Sequence, residues 1–321
     1  MTGIRGGVDL GGTKIQAVIV DGQTEIVGQA RRPTPTAGGP QAVTAEIAET
    51  LREAAEAADV ETSSLAGVGV GSPGAVDAHA GVVEQARNLS DWDRPFPLGP
   101  ALATALGTDV VLGNDVQVAI EAEFALGAGR EFSSLLGVFW GTGVGGGLVL
   151  EGRPWLGRGA AGEIGHMVVR RGGARCPCGR RGCVEAYAGR GAMEARAREL
   201  VERGRQTDLF EIMEERGRTR LQSGIWARAL KRADPMAVTL VDRAIAALGA
   251  GIASAVNLLD VEAVVIGGGL GTRLGPRYVE RIEQAMAPHL FLNERPPAVS
   301  VAALGDLGGA IGAALLSEAA S

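Results

Sequence analysis

The sequence predicts an α/β protein with mixed sheets and two domains, and three observations lead there. Short β-branched runs alternate with longer segments of helical periodicity. A strand, glycine turn and strand occur twice, at Asp9-Leu10-Gly11-Gly12-Thr13-Lys14 and at Gly141-Thr142-Gly143-Val144-Gly145-Gly146-Gly147. The 321 residues, 46% of them hydrophobic, are ample for one large core or two of ordinary size.

The chain opens with a strand through Gly7 and Val8, the first glycine turn, and a strand over residues 15–20 whose alternation faces a core. Paired glycines let main-chain N–H groups close on a phosphate, while Asp9 suits a magnesium ion and Thr13 a hydroxyl contact. An ordinary Gly-Gly hairpin accounts for the hexapeptide equally well. A third strand over 26–31 ends at Pro33 and Pro35. Residues 44–58 carry Ile47, Ala48, Leu51, Ala54 and Ala55 at helical spacing; 66–71 is a buried strand, and Ser72-Pro73-Gly74-Ala75 the turn after it.

The loop Arg87-Asn88-Leu89-Ser90-Asp91-Trp92 suits a polar ligand, or folds Trp92 onto the core. A helix over 98–106 and a strand over 108–112 follow, and Gly113-Asn114-Asp115-Val116 opens a helix reaching 126. Ligands in α/β sheets gather at the carboxyl ends of strands, and a carboxylate there can accept a proton from an attacking hydroxyl. Asn114 fits helix capping at least as well.

Residues 135–140 form a strand, 141–147 the second glycine turn, and 148–150 a strand. Two such units are what a duplicated α/β module gives if it grips a nucleotide's phosphates from both sides. A third cluster, Gly267-Gly268-Gly269, follows the buried strand 263–266 and allows backbone to approach a base or ribose. Between them lie Gly162-Glu163-Ile164-Gly165-His166 and Cys176-Pro177-Cys178-Gly179-Arg180-Arg181-Gly182-Cys183. One histidine and three cysteines are the ligands of a closed, structural Cys₃His zinc site; reduced surface thiols are the plainer alternative. Beyond Gly189, residues 193–201, 208–216 and 221–230 read as helices with solvated Arg and Glu faces. A long packed helix over 235–259, a helix over 274–286, a strand over 298–301 and a last helix over 307–316 complete the chain.

A net charge of −6 without blocks of like charge argues against a nucleic-acid surface. The first residues carry no apolar targeting run, and the weakly charged stretch 135–150 is too short and glycine-broken to span a bilayer, so a cytoplasmic protein without membrane partners is expected. Three cysteines within eight residues are a poor disulfide framework.

These motifs, in this order, resemble the ROK family of sugar kinases, a branch of the actin and hexokinase-like (ribonuclease H-like) fold. The resemblance covers nearly the whole chain. It implies two α/β domains, 1–113 with 305–321 and 114–304, the second carrying a zinc module at 166–183, with a sugar and ATP in the cleft between them. By matched position, Asp115 would be the general base for the sugar's 6-hydroxyl, and Asn88, Asn114, Glu163, His166 and Glu185 would hold other hydroxyls, with Gly74 lining the pocket. Asp9, Gly11, Gly12, Thr13, Lys14, Gly141, Thr142, Gly143, Gly267, Gly268 and Gly269 would bind Mg-ATP. His166, Cys176, Cys178 and Cys183 would bind Zn²⁺, His166 turning its second nitrogen to the sugar.

Glucose is the leading substrate by resemblance. Kinases for N-acetylglucosamine, N-acetylmannosamine, mannose, allose and fructose share the frame, and polyphosphate is an alternative donor. A homodimer or homotetramer is the family habit. The family's repressors carry a DNA-binding segment before the first glycine turn, which here begins at Asp9, so a regulator is the weaker expectation, and a non-catalytic sugar sensor would lack the Asp115 that is present.

Overall fold

A computed structural model describes residues 3–86 and 89–319; Asn88, expected in the sugar site, lies outside the described residues. The elements run β1 (Arg5–Leu10), β2 (Lys14–Val20), β3 (Ile26–Pro33), α1 (Gly39–Glu56), β4 (Val68–Ser72), β5 (Ala75–Asp77), β6 (Val82–Glu84), α2 (Leu98–Leu106), β7 (Val110–Asn114) and α3 (Asp115–Leu126). Next come β8 (Leu135–Trp140), β9 (Val144–Leu150), β10 (Arg153–Pro154), α4 (Glu185–Ala188), α5 (Arg190–Glu202), α6 (Leu209–Glu215), α7 (Ser223–Lys231) and α8 (Pro235–Leu259). The chain closes with β11 (Ala263–Gly267), α9 (Gly268–Leu274), α10 (Pro276–Met286), β12 (Ala298–Val301) and α11 (Gly308–Ala319).

Two compact units result: residues 1–130 with 157–159 and 303–321, and residues 131–156 with 160–302. α3, which the resemblance assigns to the second domain, packs against α11 and β4 of the first unit.

The first unit is built on a five-stranded sheet of order β3-β2-β1-β4-β7, antiparallel across β1, β2 and β3 and parallel from β1 through β4 to β7. Strand alternation divides β2: Ile15, Ala17 and Ile19 join one core with Ile47 and Leu51 of α1, while Val18 and Val20 face Ala310, Ile311 and Ala314 of α11. α1 starts at Gly39, ahead of the expected residue 44, because Pro40 supplies a preset first turn after the left-handed Gly38.

The second unit repeats the plan. Its sheet runs β10-β9-β8-β11-β12, antiparallel from β8 to β9 and β10, parallel from β8 through β11 to β12. Strand for strand, this is the order and sense of the first sheet, so the duplication inferred from the glycine turns extends to whole sheets. Gly145, Gly146 and Gly147 belong to β9, paired with Phe139, Val138 and Gly137, so the second turn shortens to 141–143.

α8 is capped by Asp234, whose carboxylate accepts from Ala237 N at 2.7 Å, and begins with Pro235. It alone among the described helices is long and apolar enough to cross a membrane, yet 67% of that window is buried, as suits a core helix.

Candidate active site and metal centre

In the first unit the β1–β2 turn is closed by Gly11 N donating to Lys14 O at 2.9 Å. Thr34, which motif reading passed over, holds it from the side: its hydroxyl donates to Gly11 O at 2.6 Å and its amide to Thr13 O at 3.3 Å. Lys14 Nζ reaches Gln16 Oε1 at 2.8 Å and Asp306 at 3.6 Å. Asp9, next to last in β1, lies against the first turn of α11, where a Cβ on Gly309 would lie 2.8 Å from its Cγ. Burial pushes the Asp9 carboxyl up to about 6; Lys14 pulls it down and Asp306 raises it further.

At the end of β7, Asn114 caps α3, its side-chain oxygen accepting from Val116 N at 3.1 Å and Gln117 N at 3.2 Å. Its amide nitrogen faces Gly74 O at 3.5 Å, so capping and a place beside Gly74 coexist in one side chain. Gly74 is glycine of necessity: its φ is +95°, and a Cβ would lie 2.5 Å from Glu84 O. Asp115 occupies the first turn of α3, with Oδ1 accepting from Val116 N at 2.9 Å. Trp92 is a core residue, its indole N–H donating to Val83 O at 3.2 Å and its ring edge-on to Phe96.

In the second unit the ligand atoms of His166, Cys176, Cys178 and Cys183 lie within 4.8 Å of one another. His166 Nδ1 is 3.8 Å from Cys176 Sγ, and the Cys178 and Cys183 sulfurs are 3.8 Å apart. Bonds of about 2.0 Å to nitrogen and 2.3 Å to sulfur in a tetrahedron demand ligand separations of roughly 3.5–3.8 Å, so this set fits zinc with little adjustment. Burial pushes the Cys176 thiol up to about 12. At Cys178 burial works the same way, but hydrogen bonds from the Arg180 backbone and guanidinium, with those from the other thiols, outweigh it and lower the thiol to about 6. His166 Nε2 lies 3.9 Å from Glu163 Oε2.

Glu185 joins this cluster to the second glycine turn. Its Oε1 lies 3.9 Å from Cys176 Sγ, and its Oε2 accepts from Val144 N at 2.9 Å. A Cβ on Gly143 would overlap that same oxygen, so close approach explains the glycine. The turn is closed by Gly141 N donating to Gly143 O at 3.0 Å.

The third glycine cluster opens α9. Gly267 ends β11 under the Phe139 ring, and Gly268, with φ of +78°, would place a Cβ 2.7 Å from the Trp140 backbone. Both are glycine because β8 runs past them; around Gly269 the nearest atom to an added Cβ is Ser223 Oγ at 3.6 Å.

The charged face expected on 193–201 is partly interior. Glu194, 4% exposed, accepts from Arg198, Arg220 and Leu221 N, because the segment before α7 lies over this part of α5. Arg190, also passed over by motif reading, donates to Thr142 Oγ1 at 2.8 Å and Ser223 Oγ at 2.9 Å. A cation two residues before a helical alanine gives no periodic signal; only the fold brings it to Thr142.

Paired sheets of one topology, each opening on a glycine turn, define the actin and hexokinase-like class of α/β proteins. Within that class the protein belongs to the ROK family, which it matches over residues 5–320. It is 33% identical to a glucokinase from Halalkalibacterium halodurans, over 95% of this chain and 92% of the relative. It is also 33% identical to an N-acetylgalactosamine kinase from a Shewanella species, over 97% and 96%. Among solved structures, a ROK family glucokinase from Streptomyces griseus in complex with glucose and AMPPNP superposes with a TM-score of 0.83 at 32% identity, covering 99% of this chain and all of that one (100%).

Proposed function

We propose that the protein is a hexose kinase that transfers the terminal phosphoryl group of ATP to the 6-hydroxyl of glucose. The observation that carries this reading is Asp115 in the first turn of α3, beside the Asn114 cap that faces Gly74, in a chain alike along its whole length to a glucokinase structure holding glucose and AMPPNP.

Asp115 accepts the proton of the 6-hydroxyl as its oxygen attacks the phosphorus. Gly74, Asn88, Asn114, Glu163, His166 and Glu185 are assigned to binding the sugar. His166 suits two tasks, Nδ1 facing the sulfurs and Nε2 available to a sugar hydroxyl or to Glu163. N–H groups of the turns at Gly11-Gly12-Thr13 and Gly141-Thr142-Gly143, with Lys14 and Gly269, receive the donor phosphates. Gly267 and Gly268 serve this site by seating α9 against β8. Asp9 is the carboxylate at hand for Mg²⁺, which would neutralise charge on those phosphates. His166, Cys176, Cys178 and Cys183 would hold Zn²⁺, which would supply a structural cross-link that fixes the imidazole.

Free thiols suit a cytoplasmic protein. Exposed Leu258, Phe291 and Leu292 suit a homodimer or homotetramer.

The test is ADP release coupled to a reporter enzyme, with Mg-ATP and a panel of glucose, mannose, allose, fructose and the N-acetylated hexosamines, N-acetylgalactosamine included. Glucose is expected to give the highest kcat/KM. An N-acetylated sugar in first place would move the substrate and keep the mechanism, whereas no sugar-dependent ADP release would leave a sensor.

A further inference from the structure

The Arg190 cluster contains donors without matching acceptors. The guanidinium carries five N–H groups, of which the two given to Thr142 and Ser223 are the ones with partners among the described residues. Both hydroxyls accept from Arg190, which leaves each O–H to donate elsewhere. Gly269 N lies 3.9 Å from the Cβ position of Gly141, and Ser223 Oγ lies 3.6 Å from that of Gly269, so the turn, the start of α9 and the start of α7 converge here.

Charge points the same way as hydrogen bonding. The nearby carboxylate, Glu194, is already engaged by Arg198, Arg220 and Leu221 N. Burial lowers the Arg190 guanidinium from the ordinary arginine range, repulsion from Arg220 adds to this, and Glu194 offsets part. A half-buried cation among hydroxyls and N–H groups is complemented by a ligand that is anionic and acceptor-only. A phosphate chain has that chemistry; a sugar hydroxyl or an adenine edge does not.

We propose that Arg190, with the hydroxyls of Thr142 and Ser223, is a further phosphate-binding group of the donor site, gripping the phosphate chain rather than the nucleoside. This rests on the kinase reading above. It assigns Arg190 a second role besides holding Thr142 in place, and it makes Ser223 part of the site.

The test compares wild type with Arg190→Gln, Arg190→Lys and Ser223→Ala, measuring the binding of Mg-AMPPNP and of adenosine by calorimetry, and KM for ATP and hexose where turnover is present. Arg190→Gln is expected to weaken AMPPNP roughly 10- to 100-fold and raise KM for ATP comparably, with adenosine affinity and the hexose KM within about 2-fold. Arg190→Lys recovers part of the loss, and Ser223→Ala weakens AMPPNP several-fold. Unchanged AMPPNP affinity in Arg190→Gln, or an equal loss for adenosine, overturns the proposal and leaves Arg190 a loop support. If Arg190→Gln does not fold, Arg190→Lys and Ser223→Ala decide it by the same AMPPNP-to-adenosine ratio. Wild-type protein that neither binds AMPPNP nor turns over ATP with any hexose overturns the kinase reading and this proposal together; wild-type turnover with an unaffected Arg190→Gln overturns this one alone.

Discussion

Glu185 Oε2 accepts the Val144 amide at 2.9 Å, while the other oxygen of the same carboxylate lies 3.9 Å from Cys176 Sγ. One side chain thereby spans the gap between the thiol cluster and the second glycine turn. A metal held by the cluster would act on the turn through this carboxylate.

Glu185→Gln preserves the shape and removes the charge that strengthens the Val144 bond. The variant is expected to keep about one zinc per chain and to lose roughly 10- to 100-fold in kcat/KM. Metal analysis beside steady-state kinetics checks both halves; wild-type kinetics, or loss of the metal, would contradict the relay.

Asp115→Asn retains the helix start, since Asn114 supplies the cap, and removes the proton acceptor. Hexose binding is expected within a few-fold of wild type, with kcat down by roughly 10² or more. Calorimetry with glucose and coupled ADP release separate the two; near-normal turnover would sink the assignment of the base.

Cys183→Ser removes a buried ligand. Zinc is expected to be lost and the melting temperature to drop by roughly 5 °C or more, with a chelator reproducing the drop in wild type but not in the variant. A chelator-insensitive wild type would leave the cysteines as reduced thiols.

Asp9 gives a pH signature. Its carboxyl titrates at about 6 in the folded protein against 3.8 as the ordinary value, so between those pH values the unfolded chain has released a proton that the native one still holds. Stability of the unliganded protein from this group is therefore greatest below the lower value and is lost as pH rises through the upper one. Asp9→Asn should escape that loss: relative to wild type it gains about 2 kcal/mol on going from about pH 4.5 to about pH 7.5, while its affinity for Mg-ATP falls. Denaturant melts of both proteins at the two pH values check the sign, and a difference independent of pH would refute it.

Much of the plan was legible because its signals are local. Glycine turns between alternating strands, the Asx cap at Asn114 and four metal-ligating residues in a short span need no knowledge of distant chain. Helix starts were less legible: Gly38 and Pro40 begin α1 through backbone conformation, with no apolar repeat to mark them.

The sequence by itself determined the two repeated turns, the α/β class, the thiol cluster and the carboxylate at the end of β7, each encoded within a few residues by backbone conformation or ligand chemistry. Tertiary structure alone decided which glycines face open space and which accommodate β8, that Glu194 is interior between Arg198 and Arg220, and that Arg190 meets Thr142. Those outcomes depend on close packing and on partners as distant along the chain as Gly268 and Trp140. A one-dimensional pattern has no term for the volume a neighbour occupies or the charge it brings.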